Sequence, residues 1–151
     1  MKKFCIIFFT LLLIWFPAGA RDVSFPNLSG GEISYEEIKM MPKAILFVWT
    51  TWCPHCREEL DKLRKKSIFF ENISIFYVNA GEAMNKVEKY ADYKDFAGTT
   101  RERTILDSNS YLVRRFSVSA VPTYIFLKNG EIVGKTYFLT EKLIEKIYGV
   151  D

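Results

Sequence analysis

Cys53-Pro54-His55-Cys56 places two thiols two residues apart, with an imidazole between them. Cysteines at that spacing can close a small, reversible disulfide. Trp52 precedes them, and before it runs the apolar Ala44-Ile45-Leu46-Phe47-Val48-Trp49, so the thiols fall at a strand-to-helix junction. A helix starting there aims its unpaired N–H groups and positive dipole end at the first sulfur. That lowers the pKa of Cys53 and favours thiolate, the form that attacks disulfides. The expected chemistry is thiol–disulfide exchange. A loop closed by cysteines this near in sequence is too small to staple a fold.

The surrounding elements must hold that junction. Pro54 suits a first helical turn, where its missing N–H costs nothing. Residues 54–66 favour helix with Leu60 and Leu63 on one side, and Arg64-Lys65-Lys66 reads as its solvated, cationic end. Residues 43–50 form a nearly continuous apolar run of strand length, the pattern of a strand buried on both faces. Residues 73–79 predict a second such strand.

Upstream, residues 23–34 carry Pro26, Asn27, Gly30 and Gly31 and predict a short hairpin or loop. Ser34 then caps a helix with Glu37 at its third position, closed by Pro42. Residues 82–96 predict a helix ended by Gly98, with Met84, Val87, Tyr90 and Ala91 on its core side. Thr104-Ile105-Leu106 predicts a short strand, with helix over 108–116. Residues 123–128 and 131–138 flank Asn129-Gly130, a strong hairpin signal. Thr140 caps a last amphipathic helix with Leu143, Ile144 and Ile147 inward. The alternation predicts one α/β domain over 21–151, a central mixed β-sheet flanked by helices.

Residues 1–20 form a different segment. Lys2 and Lys3 give a positive start, 4–16 is apolar except for Thr10, and Pro17 leads to Ala18-Gly19-Ala20. That is the pattern of a secretory signal cleaved after Ala20, with an uncleaved anchor as the alternative. An apolar run of about 13 is short for a membrane span, which needs roughly 20. Cys5 lies within it and reads as a small apolar residue of the signal. The chain of 151 residues carries 21 basic and 18 acidic side chains, net +3. Removing Lys2 and Lys3 leaves 19 against 18, so no basic patch argues for nucleic acid. An apolar fraction of 49% supports one well-filled core rather than disorder. No cofactor and no strong oligomer signal is read.

The order of elements and motifs resembles the thioredoxin-like fold over residues 23–150. Trp52-Cys53-Pro54-His55-Cys56 after the first long strand, Val121-Pro122-Thr123 before the hairpin, and the hairpin-plus-helix ending carry the resemblance. Thr51-Trp52-Cys53 with Arg57-Glu58-Glu59, and the insertion-like helix over 82–98, resemble the exported TlpA/ResA-type thiol–disulfide oxidoreductases. The resemblance implies that Cys53 attacks, Cys56 resolves, and Pro122 is cis and faces the disulfide. It implies substrate contacts at Trp52, Pro54 and Val121, whose backbone would pair with an extended segment. Glu59, on the same helix face as Cys56, matches an acid near the active site of such proteins, where it would assist proton transfer. Many thioredoxin-like proteins carry a buried acid six residues before the first cysteine; here that position is Phe47.

Two signals disagree on direction. Pro54-His55 is the pair of DsbA-like oxidants, where His55 would stabilise the Cys53 thiolate and make the disulfide more oxidising. The scaffold instead resembles proteins that reduce disulfides outside the cytoplasm, often for cytochrome c assembly, with electrons from a membrane partner. The 65 residues between Cys56 and Pro122 leave little room for a DsbA-like helical insertion. An exported reductase acting on protein disulfides is the first expectation, and an oxidase the second. Soft-metal (copper) binding by the thiols and His55 is the non-enzymatic alternative, but these ligands crowd one turn and no metal site is expected. A peroxidase on the same fold would not usually carry this paired motif. Haem attachment would need histidine where Arg57 stands.

Overall fold

The computed structural model describes residues 22–65 and 72–149; the expected signal segment and Cys5 lie outside them. At the centre is β3 (Lys43–Trp49). It pairs in parallel with β4 (Ser74–Ala80), which pairs in parallel with β5 (Thr104–Asp107). On its other side β3 pairs antiparallel with β6 (Thr123–Lys128), followed by antiparallel β7 (Glu131–Thr136). The order β5-β4-β3-β6-β7 makes a mixed five-stranded sheet, as the alternation of elements predicts. A two-stranded hairpin, β1 (Ser24–Pro26) and β2 (Glu32–Ser34), precedes it.

Alternate residues of β3 serve opposite faces of the sheet, which is why its sequence is an unbroken apolar run. Ile45, Phe47 and Trp49 enter one core with Cys56, Leu60 and Leu63 of α2 (Pro54–Lys65) and Val87 and Ala91 of α3 (Met84–Tyr93). Tyr148 of α6 (Glu141–Tyr148) joins that core, with Leu143, Ile144 and Ile147 packed against it as their spacing predicts. Ala44, Leu46 and Val48 enter the other core, with Phe25, Ile33, Ile38 of α1 (Tyr35–Met40) and Leu112 of α5 (Tyr111–Arg115).

The caps at Ser34 and Thr140 are present: Ser34 Oγ accepts from Glu37 N at 2.9 Å, and Thr140 Oγ1 from Leu143 N at 3.2 Å. Asn129 and Gly130 turn the last hairpin, both at positive φ (50° and 80°). A side chain at 130 would also meet the Lys39 carbonyl, since a Cβ there would lie 2.9 Å from it. Glycine meets both demands.

Other expectations need correction. The helix of 82–96 begins at Met84, leaving Glu82 outside it and turned inward, and Met84 is 44% exposed rather than core. The helix of 108–116 begins only at Tyr111, because the buried Asp107 carboxylate accepts from Tyr111 N (2.6 Å) and Val113 N (3.1 Å) at its start. A short helix, α4 (Thr99–Glu102), lies where none is expected. Arg64 is more than a solvated helix end: it stacks 4.5 Å from the Phe96 ring and donates to the carbonyls of Lys94 and Asp95.

Candidate active site

The site forms at the carboxyl end of the central strand, where open α/β sheets commonly place ligands. After Trp49 the chain turns through 50–52, and Cys53 N donates to Thr50 O at 3.4 Å. Pro54 opens α2. Cys53 and Cys56 form a disulfide, with Cα atoms 5.2 Å apart. The two sulfurs are not equivalent. Cys56 lies on the inner face of α2 and is fully buried, whereas Cys53 retains 5% exposure at the rim. The Cys56 N–H points at Cys53 Sγ (3.1 Å), which is the helix-terminus donation expected from the motif's position. The structure also brings Val121 and Pro122 to the disulfide. The Val121–Pro122 bond is cis, and the Val121 carbonyl oxygen lies 3.9 Å from Cys53 Sγ.

Trp52 stands 64% exposed beside Cys53, and Pro54 and His55 are also exposed. His55 Nδ1 lies 3.9 Å from Glu58, both side chains largely in solvent. Glu59 is less open, with 22% side-chain exposure. It accepts from Lys62 Nζ and from Tyr124 Oη, each at 2.7 Å. Partial burial pushes the Glu59 pKa up, but the hydrogen bonds from Lys62 and Tyr124 outweigh it and hold the group below its ordinary value. Burial first, then the neighbouring carboxylate, raises the Tyr124 phenol, so it remains the donor.

Two residues of this region escape sequence reasoning. Tyr124 is one of several aromatics in an apolar strand, and only strand register reveals its role. It sits opposite Phe47 in the β3–β6 pairing, ring centroids 4.9 Å apart, with its hydroxyl reaching Glu59. Glu82, read as a first helical residue, is instead a buried carboxylate bonded to the turn before Trp52. Its one sequence signal is an acid directly after Gly81 at a strand end. Among the described residues, no group of three or more His, Cys, Asp or Glu could hold a metal ion.

A family model for the AhpC/TSA family matches residues 18–136. The chain belongs to the AhpC/TSA family. It is 24% identical over 119 residues to a thioredoxin-like protein of Haemophilus influenzae, covering 77% of this chain and 66% of that one. It is 26% identical over 149 residues to sporulation thiol-disulfide oxidoreductase A of Bacillus subtilis, with 87% of each chain covered. A solved structure of a secreted Mycobacterium tuberculosis disulfide oxidoreductase, described as homologous to E. coli DsbE, superposes with a TM-score of 0.68. It shares 14% identity over 85% of this chain and 96% of the other, a likeness of fold. The AhpC/TSA chain is a thiol–disulfide oxidoreductase of thioredoxin-like type.

Proposed function

We propose that this chain reduces disulfides of exported proteins outside the cytoplasm, cytochrome c apoproteins being one candidate class. The asymmetry of the pair carries the exchange chemistry, with Cys53 at the rim, Cys56 buried and the Cys56 N–H directed at the Cys53 sulfur. The reducing direction rests on the span of 65 residues from Cys56 to Pro122, which leaves little room for a DsbA-like helical insertion. In the reduced enzyme the Cys53 thiolate attacks a substrate disulfide. The substrate S–S bond breaks, one substrate thiolate leaves and takes a proton, and a mixed disulfide remains. Cys56 then loses its proton and attacks the Cys53 sulfur, releasing the second substrate thiolate. Two electrons pass to the substrate and the Cys53–Cys56 disulfide forms. Glu59 stands three residues from Cys56 on α2, and that spacing supports a role as acceptor of the Cys56 proton, while its lowered pKa makes it a weaker base than a free glutamate. Trp52, Pro54 and the Val121 backbone beside Pro122 flank the rim and support a role in holding an extended substrate segment.

The signal-like pattern of 1–20 supports export, and a membrane reductant would restore the dithiol. No described helix is long and apolar enough to cross a membrane. Mass measurement of the mature protein distinguishes cleavage after Ala20 from a retained anchor. His55 between the thiols supports a second reading, a DsbA-like oxidase running the exchange in reverse. Equilibration with glutathione separates the two. A potential below about −200 mV fits the reductase and excludes the strong oxidant, whereas one near −120 mV sinks the reductase.

A further inference from the structure

Glu82 is 8% exposed, yet none of the exchange steps uses it. Gly81 turns the chain at positive φ (+70°) at the end of β4, where a Cβ would approach Ser110 Oγ at 3.0 Å. The next side chain enters the protein behind the active-site turn. Glu82 Oε2 accepts from Thr51 N at 2.6 Å and Asn79 Nδ2 at 2.8 Å. Oε1 accepts from Thr51 Oγ1 at 2.7 Å and pairs with Lys86 Nζ at 2.7 Å. Both oxygens therefore hold two donors each, drawn from the turn after β3, the end of β4 and the first turn of α3. A buried carboxylate is costly unless it is paired in this way. Burial pushes Glu82 up, but the bonds from Lys86, Asn79 and Thr51 outweigh that and keep it ionised.

We propose that Glu82 is a positioning residue for thiol–disulfide exchange, fixing the 50–52 turn and through it the placement of Cys53 at the head of α2. The linkage is continuous. Glu82 binds the Thr51 backbone and hydroxyl, the adjoining Thr50 carbonyl accepts the Cys53 N–H, and Cys56 N–H addresses the Cys53 sulfur. Release of Thr51 lets the sulfur drift from the α2 terminus. The inference rests on the exchange activity argued above.

Position and charge make opposite demands, which gives the test its sign. If Glu82 acts by placing Cys53, its loss weakens thiolate stabilisation and raises the Cys53 pKa. If it acts only as a nearby negative charge, its loss lowers that pKa. If it is merely structural, stability falls and the pKa stays put. The reduced full chain and its Glu82→Gln and Thr51→Val variants are titrated with iodoacetamide across pH, with modification at Cys53 read by mass. Reduction of an insulin disulfide is timed in parallel. Positioning predicts an alkylation profile moved to higher pH in both variants, further in Glu82→Gln, and exchange slowed by about 10- to 100-fold in Glu82→Gln. An unmoved profile, or one moved to lower pH, overturns the proposal. If Glu82→Gln does not fold cooperatively, the direction seen in Thr51→Val decides alone. A wild-type chain without exchange sinks the activity; an active wild type with unshifted variants sinks the positioning role alone.

Discussion

The residues that surround the disulfide divide into those the motif announces and those the fold supplies. Glu59 is legible by its spacing from Cys56, but its partner Tyr124 is 65 residues away and enters only through β3–β6 register. The Tyr124 hydroxyl helps hold Glu59 ionised, so Tyr124→Phe is expected to raise the Glu59 pKa and cost about 1–2 kcal/mol near neutral pH. The sign follows from linkage. A carboxylate with a depressed folded pKa adds stability above its unfolded value and loses it as pH falls through the folded one. The gap between wild type and variant, read by urea denaturation, should therefore narrow below about pH 4; a gap independent of pH would assign the loss to packing. His55 is a simpler case, with an exposed ring and Glu58 at 3.9 Å. If it favours the Cys53 thiolate, His55→Ala shifts the Cys53/Cys56 potential toward more reducing values. An unchanged potential leaves His55 as a surface residue of the turn.

Whole elements are more legible than their ends. The strands of the sheet, both side-chain caps and the Asn129-Gly130 turn follow from local chemistry: alternation of sheet faces, a hydroxyl at a helix start, a turn tolerant of positive φ. Two of the failures arise where a distant partner overrides local pattern. Glu82 has the look of a helix-start acid, yet Thr51, 31 residues earlier, draws it inward and the helix starts later. Arg64 has the look of a solvent cation, yet Phe96 and two carbonyls hold it. At Gly130, local and distant demands coincide. Gly130→Ala adds a Cβ 2.9 Å from the Lys39 carbonyl in a left-handed backbone, so it should cost about 1–3 kcal/mol. The melting temperature should drop while Cys53 alkylation by iodoacetamide keeps its wild-type rate, since the turn lies at the opposite end of β6 from Pro122. A melt identical to wild type would show that the β6–β7 turn yields freely.

At the scale of the whole molecule, the direction of electron flow is a statement about stability. The folded protein holds the Cys53–Cys56 pair either more comfortably as a disulfide or more comfortably as thiols. That preference must reappear as a difference in folding free energy between the oxidised and reduced chains. Each 30 mV separating the folded pair from the same pair in the unfolded chain corresponds to about 1.4 kcal/mol. Several features bear on the sign. The helix-terminus N–H on Cys53 Sγ favours a thiolate and so the reduced form. Cys56, fully buried in the same core as the apolar Phe47, stays a neutral thiol in the dithiol and adds no charge to bury. A reductase is a protein whose fold nonetheless prefers the disulfide to the dithiol. The reductase reading therefore predicts that reduction destabilises the fold, seen as a lower urea midpoint for the dithiol than for the disulfide at neutral pH. An oxidase of the DsbA kind, whose reduced form is the stabilised one, predicts the reverse order. Because the two midpoints use the protein's own folding as the reference, the result needs neither a substrate nor a redox partner, and a dithiol more stable than the disulfide would decide against the reductase.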